Sequence, residues 1–232
     1  MRSNPIAALL LITSTMCSGN IHAETIAIIG TGNVASALGP EFAAQGHTIV
    51  YGSRKPDSGD AQELVQETGN LASVTTPSDS VKDADIVVLA VPGTRVKEIV
   101  MGLGDLSGKI IIDPTNPMER ELMTFHHAVE TSNAQIIQEL QPDADVVKAF
   151  NTLSWKTMKD AASAGGPVSV PLAGNSRGAK KVVAKLASGM GLEAIDVGGI
   201  ENAHWVEGML LLWINNRFST RDSFDFYLRK AE

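Results

Sequence analysis

A G-x-G-x-x-A pattern occurs near the start of the chain, in Gly30-Thr31-Gly32-Asn33-Val34-Ala35. The first glycine of this pattern allows a tight turn, the second lets a ligand approach the backbone, and the small last residue lets a helix and a strand pack closely. A helix that begins at such a turn offers unpaired N–H groups and a partial positive charge to phosphate oxygens. An ordinary strand-to-helix turn is the alternative interpretation. The pattern predicts a dinucleotide-binding turn if a strand precedes it and a helix follows.

The residues after the next apolar run bear on the kind of dinucleotide. An NAD site has Asp or Glu at this point, which accepts hydrogen bonds from the ribose hydroxyls. This chain has Ser53-Arg54-Lys55 instead. A hydroxyl and two cations would bind a 2′-phosphate that a carboxylate would repel. Unless Arg54 and Lys55 are only solvated loop charges, these residues predict NADP(H) as the cofactor.

The elements that must position these residues alternate along the chain. Short apolar runs separated by helical stretches predict an α/β fold, a Rossmann-type doubly wound parallel sheet with a small C-terminal α/β lobe. Strands are predicted at 25–29, 48–51, 71–75, 85–91, 109–113 and 146–150, the last completing the sheet. We predict a nucleotide-binding domain over residues 24–151 and a small lobe over residues 152–232 that completes an acceptor cleft.

The N-terminal 23 residues have the composition of an export signal. Arg2 precedes an apolar run, Ile6–Ile12, and Ile21-His22-Ala23 ends in a small residue at a plausible cleavage point. The run is too short for a membrane span, so the pattern predicts a signal peptide and a periplasmic or secreted protein. A mis-assigned start codon before a cytoplasmic protein is the alternative. The only cysteine, Cys17, lies in this segment.

Composition narrows the classes of partner. Of 232 residues, 44% are hydrophobic and 19% are charged, and the formal net charge is −7. This charge argues against a nucleic-acid-binding surface, and a small molecule is the expected partner.

The sequence allows more than one role for several histidines and for Asp113, and none of these residues indicates a metal site. His126 and His127 are adjacent, unlike metal ligands spaced four apart on a helix, and a surface or capping role is expected. His204 begins an apolar helix, where we favour a structural role over proton transfer. Asp113 ends a predicted strand, where it would either face a ligand or cap the following turn.

Three segments resemble a known family. They are GTGNVASALGPEFAAQGHTIVYGSRKP, VVKAFNT (146–152) and IENAHWVEGMLLLWI (200–214), and the chain closes with an aromatic segment at 224–228. Together they are similar to the NADPH-dependent coenzyme F-420 reductases and to the reductase domains of six-transmembrane metalloreductases. The resemblance implies an oxidoreductase that passes a hydride between NADPH and a flavin-like or deazaflavin acceptor.

The resemblance also implies roles for particular residues. Thr31 and the Ser53-Arg54-Lys55 segment would hold the 2′-phosphate, and Val91 and Pro92 would line the adenosine and nicotinamide-ribose side. The cleft candidates that would flank the nicotinamide are Asn116, Ala149, Phe150 and Asn151. The acceptor itself is left open by the resemblance.

Two other classes of protein share this first domain. One class comprises the β-hydroxyacid dehydrogenases and the pyrroline-carboxylate-type reductases, which need a large helical second domain that some 80 residues of mixed strand and helix cannot supply. A non-enzymatic NADP-binding or redox-sensing protein is the remaining alternative, since binding and turnover use the same visible residues. The helix predicted at about Ala203–Arg217 is apolar on more than one face, which predicts a homodimer contact.

Overall fold

The computed structural model describes residues 23–122, 124–219 and 224–231. The predicted export signal lies outside this part of the chain except for Ala23. Within the described residues, no helix combines the length and the apolar composition that crossing a membrane requires.

The first half of the chain alternates strands with helices, as the sequence pattern predicts. Its elements are β1 Thr25–Ile29, α1 Asn33–Ala44, β2 Thr48–Gly52, α2 Gly59–Thr68, β3 Ala72–Thr75, α3 Pro77–Ser80, β4 Ile86–Leu89, α4 Val96–Met101 and β5 Ile110–Asp113. The second half contains the antiparallel hairpin β6 Met118–Glu121 and β7 Thr124–His127, then α5 Asn133–Leu140, β8 Asp145–Lys148, α6 Trp155–Lys159, β9 Ser169–Ala173, α7 Arg177–Gly189, β10 Glu193–Gly198 and α8 Ala203–Ser219.

Eight strands form one sheet in the order β10-β9-β8-β5-β4-β1-β2-β3. The strand order reverses at β1 and β4, which is the switch point where Rossmann-type sheets bind ligands beyond their carboxyl ends. In β1, Ile26 and Ile28 pack on the side of α1 and α7, whereas Ala27 and Ile29 pack on the side of α4 and α5. Burial on both faces explains why the strands are continuous apolar runs rather than alternating ones.

The predicted C-terminal lobe shares this sheet. We expected the strand at 146–150 to complete the sheet, but β9 pairs antiparallel with β8 through Lys148 and Ala173, and β10 then pairs parallel with β9. The expectation failed because a strand's own sequence does not say whether its outer edge is free. The described residues after Asn151 are therefore joined to the first part of the chain through backbone hydrogen bonds as well as side-chain packing.

The sides of the last helix, α8, differ in what they contact. Ala203 and Val206 are buried against the sheet, whereas Trp205 and Leu212 are exposed, at 71% and 65%. The hairpin contacts a further side, where the backbone N–H of Phe125 donates to Asn215 Oδ1 at 2.7 Å. A helix with several apolar contacts has no single polar face, which accounts for the apolar residues on more than one side of it.

Candidate functional site

The turn between β1 and α1 requires its first glycine. Gly30 has φ of +110°, a conformation that side chains rarely adopt, and its N–H donates to Gly52 O at 2.9 Å. A Cβ at Gly30 would lie 2.3 Å from Ala90 O. The ends of β1, β2 and β4 therefore meet at a point where only a residue without a side chain fits.

The second glycine is not required by the fold. Gly32 is the N-cap of α1 with φ of −87°, no side chain caps the helix there, and a Cβ added to it would meet nothing within 4 Å. The space that this missing side chain leaves open lies at the positive end of α1, where a phosphate is stabilised. The turn therefore fits a dinucleotide pyrophosphate. Of the neighbouring pattern residues, Asn33 is exposed in the first turn of α1 and Val34 is half-buried against the core.

Alanine at these two glycines is expected to have opposite consequences. Gly30→Ala should destabilise the protein by about 1–3 kcal/mol or more, because it adds a clash to a strained backbone. Gly32→Ala should leave the melting temperature unchanged and weaken NADPH about tenfold to a hundredfold, since a methyl group then occupies the cradle. Calorimetry and nucleotide titration measure both effects.

A matched control is Gly166→Ala, because a Cβ at Gly166 also meets nothing within 4 Å and the residue does not line this site. Gly166→Ala should change neither the melting temperature nor the NADPH affinity. Unchanged NADPH affinity in Gly32→Ala would mean that the nucleotide binds elsewhere.

The loop after β2 places its polar groups beside this turn. The Ser53 side chain is nearly buried, and its Oγ accepts a hydrogen bond from Lys55 N at 3.1 Å. Arg54 and Lys55 are exposed. A preformed loop that carries two exposed cationic side chains is suited to binding a phosphate group on the ribose.

The turn and the loop line one cavity of about 650 Å³. It contains the predicted Thr31, Ser53, Arg54 and Lys55, and Val91 and Pro92 close one side. It also contains Ser58 and Arg95, which the sequence analysis missed. Arg95 pairs with Glu98 at 2.9 Å. The sequence feature that could have indicated Arg95 is a cationic residue two positions after Gly93, at the turn that ends β4.

The remaining cleft candidates lie at the ends of β5 and β8. Asn151 Nδ2 donates to Asn116 Oδ1 at 2.9 Å, and Asn116 Nδ2 donates to the carbonyl of Asn151 at 3.1 Å. The loop after β4 packs against this pair so closely that a Cβ at Gly93 would lie 1.9 Å from Asn116 O. The structure thus brings the ends of β4, β5 and β8 together on one rim.

The backbone between β8 and this rim is strained. Phe150 has φ of +64°, and its fully buried ring makes an edge contact with Phe42 at 6.2 Å. Ala149 is also fully buried. A bulky residue in the left-handed region costs about 1–3 kcal/mol, and such strain is concentrated at functional sites. The turn directs Asn151 toward the rim, where its Oδ1 is buried and has no hydrogen-bond partner among the described residues.

Three fully buried charges lie beneath this rim, and two of them were missed. Lys148 Nζ lies 2.7 Å from Asp113 Oδ2 and 2.5 Å from Glu207 Oε1, and all three side chains are 0% exposed. Burial raises the pKa of Glu207, the charge of Asp113 adds to this, and the Lys148 ammonium opposes it. In the sequence, Lys148 and Glu207 are each the single charged residue of an apolar run, VVKAF and HWVEGMLLL, and this feature could have indicated that they are buried.

The histidines and Asp113 have structural contacts. Asp113 Oδ1 accepts from Thr115 N at 2.9 Å, so it caps the following turn as well as pairing with Lys148. His204 Nδ1 lies 2.5 Å from Thr131 O. His127 lies on a strand and contacts the buried Glu207 at 2.8 Å, which the expected surface or capping role did not foresee. Among the described residues, no group of three or more potential ligands could hold a metal.

A Rossmann-type sheet with a glycine turn and a cationic loop at its switch point is typical of dinucleotide-dependent oxidoreductases of the NADP class. Comparison with known proteins agrees. Residues 25–117 match the family model described as NADP oxidoreductase, coenzyme F420-dependent. A solved structure of a candidate F420-dependent NADP reductase from Arthrobacter sp. FB24 is 30% identical, with a TM-score of 0.80 over 90% of this chain and 100% of that chain.

The chain belongs to the family of coenzyme F420-dependent NADP oxidoreductases. It is 28% identical to the F420-dependent NADP reductase of Methanothermobacter thermautotrophicus over 84% of this chain and 90% of that protein. It is also 30% identical to Metalloreductase STEAP3 of Rattus norvegicus over 82% of this chain, but this match spans 37% of the metalloreductase.

Proposed function

We propose that this protein transfers a hydride from NADPH to a flavin-like or deazaflavin acceptor such as coenzyme F-420. The observation that carries the proposal is the continuity of the site. The phosphate cavity reaches Val91 and Pro92, and the Asn116–Asn151 pair lies next along the same rim. NADPH would supply the hydride from its nicotinamide ring, beside this pair.

The residues at the rim suit a reaction that needs position more than acid–base chemistry. Transfer between two flat rings depends on close apposition, correct facial orientation and exclusion of water. The two asparagines are linked by two hydrogen bonds, and Asn151 Nδ2 also donates to Val206 O at 3.2 Å.

A second cavity supports the choice of acceptor. It has a volume of about 360 Å³ and is lined by Thr152, which follows Asn151 in the chain, by α6 and α8, and by the aromatic segment near the chain's end. Trp155, Trp213 and Tyr227 provide aromatic walls, and the two cations Lys156 and Arg217 outnumber the one carboxylate of the lining, Asp225. Such a cavity fits a planar ring that carries an anionic tail. We propose that it receives the acceptor.

The decisive test is NADPH oxidation with flavin, deazaflavin, quinone and ferric-chelate acceptors. Thr152→Trp, which adds bulk to the wall of this second cavity, should abolish turnover with the acceptor that the wild type reduces. Its NADPH affinity should stay within about threefold, since the phosphate contacts are untouched. Ser188→Trp on α7 controls for added bulk, because Ser188 is exposed and lines neither cavity.

Full turnover in Thr152→Trp would place the acceptor elsewhere. A wild-type protein that binds NADPH tightly and reduces none of the four acceptors would support an NADP-binding or redox-sensing protein instead.

We also propose that α8 forms a symmetric contact between two copies of the chain. Its exposed Trp205 and Leu212 lie seven residues apart, and therefore on one side of the helix. This side is separate from the one formed by Leu210 and Trp213, which line the second cavity. A dimer would cover the exposed apolar residues and leave the acceptor cavity accessible.

A charge placed in this contact should separate the copies. Leu212→Glu is expected to raise the dimer dissociation constant at least about tenfold, because it buries an unpaired carboxylate. Met101→Glu on α4 is the matched control, since Met101 and Leu212 are both 65% exposed. Light scattering across a micromolar dilution series measures the effect. A monomeric wild type, or equal dissociation in both variants, would contradict the proposed contact.

A further inference from the structure

The buried Lys148 has a complete set of acceptors. Its three ammonium hydrogens are matched by Asp113 Oδ2 at 2.7 Å, Thr115 O at 2.7 Å and Glu207 Oε1 at 2.5 Å. Asp113 Oδ1 accepts from the Thr115 hydroxyl at 2.6 Å. One cation and two carboxyl groups are therefore enclosed together, and a second positive charge or a bound proton is needed for neutrality.

His127 supplies the missing proton. Its Nδ1 lies 2.6 Å from the carbonyl of Val129, and a carbonyl only accepts, so Nδ1 carries a hydrogen. Its Nε2 lies 2.8 Å from Glu207 Oε2. This contact needs one proton, either on Nε2 as an imidazolium beside a carboxylate or on Glu207 as a carboxylic acid beside a neutral imidazole. In both forms the four groups are neutral together.

The groups that surround this pair come from four elements. Lys148 faces it from β8, Asp113 from β5, and His204 from α8, with the two imidazole centres 4.7 Å apart. From α5, the backbone N–H of Asn133 donates to Glu207 Oε1 at 3.0 Å. The neighbouring His126 instead approaches the exposed Glu121, at 3.7 Å.

The same network holds both asparagines of the rim. Lys148 binds the carbonyl of Thr115, the residue before Asn116. Glu207 follows Val206, whose carbonyl accepts from Asn151 Nδ2. The position of the Asn116–Asn151 pair therefore depends on where Glu207 holds α8 relative to the sheet.

We propose that His127 and Glu207 share one proton and act as positioning residues for the Asn116–Asn151 pair, so that loss of this proton slows turnover without weakening NADPH. Only the predicted effect on turnover rests on the proposed hydride transfer. When the proton leaves, a carboxylate oxygen faces an imidazole lone pair at a distance of 2.8 Å. Their repulsion displaces α8, and Asn151 loses its contact with Val206.

Glu207→Gln is the variant that separates this role from a purely structural one. Its amide oxygen can accept from Lys148 and Asn133, and its NH₂ group can donate to neutral His127, so it imitates the proton-sharing pair without titrating. In the wild type, kcat should fall about tenfold per pH unit above the pH at which the proton leaves, with little change in the NADPH KM. In Glu207→Gln this alkaline decline should be absent.

Nuclear magnetic resonance gives a readout that needs no acceptor. In wild-type protein, the ¹⁵N signals of the His127 ring and the side-chain amide of Asn151 should shift with one common midpoint as the pH rises. In Glu207→Gln both shifts should disappear, while His126→Gln, the matched control, should retain them. A wild type without turnover would refute the proposed function, and the spectra would still decide this inference. Identical titrations in the wild type and Glu207→Gln, or an Asn151 signal that does not follow His127, would overturn it.

Discussion

Replacing Lys148 with methionine is expected to lower the free energy of unfolding by about 3–5 kcal/mol, because two buried carboxyl groups lose their shared cation. Lys148, Asp113 and Glu207 are all 0% exposed, so water cannot replace the missing charge. Urea unfolding at neutral pH measures the loss. Lys82→Met is the control, since the Lys82 side chain is 68% exposed in its pair with Asp79, where water screens the charges, and its loss should lower the free energy of unfolding far less.

The loss of unfolding free energy caused by Lys148→Met, called the deficit below, should become smaller as the pH falls. Burial already raises the pKa of Glu207 above its ordinary value of 4.5, and removal of the opposing ammonium should raise it further. A carboxyl group whose pKa is raised by folding stabilises the folded state fully below its unfolded pKa, and this stabilisation is lost as the pH rises toward the folded pKa. The deficit should therefore be smallest below about pH 4.5. A deficit that does not change with pH would mean that lost packing, rather than charge, causes it.

Arg54→Ala is expected to weaken NADPH about tenfold to a hundredfold and to leave NADH within about twofold, because a charge-assisted hydrogen bond contributes about 1.5–3 kcal/mol. Arg54 lies in the cavity that also contains the phosphate turn, and only NADPH carries a 2′-phosphate. Isothermal titration with both nucleotides measures the difference. The effect should decrease at high ionic strength, since Arg54 is exposed and its charge is screened.

Arg177→Ala provides the control for the loss of one positive charge. Arg177 is also exposed, but it begins α7 and does not line the nucleotide cavity. It should change neither affinity by more than about twofold. If the wild type binds NADPH and NADH equally, the assignment of the loop after β2 to the 2′-phosphate is wrong.

Much of the nucleotide-binding half could be predicted because its signals are local. The turn at Gly30–Ala35 and the loop at Ser53–Lys55 each lie within a few residues of a strand end. Backbone geometry dictates the residue types at such turns, so a short pattern is informative. The apolar runs of the parallel strands were likewise clear, since burial on both faces leaves no polar position.

The C-terminal half was less predictable because its structure depends on partners that are distant in the chain. The hairpin β6–β7 was missed, since MERE and TFHH have no strongly apolar strand pattern and are stabilised partly by contact between Phe125 and Asn215. The continuation of the sheet past β8 was missed for a similar reason. Strand pairing depends on the fold around an edge, which no short segment specifies.

By itself, the sequence determined the fold class, the position of the glycine turn and the cationic loop, because each follows from residue types within a short segment. Only the tertiary structure decided the charged network, which joins Asp113, His127, Lys148 and Glu207 from four separate elements. A lysine or glutamate within an apolar run is equally compatible with exposure and with burial. Whether it is buried depends on a counter-charge 35 or more residues away, since the Lys148–Asp113 contact spans 35 residues.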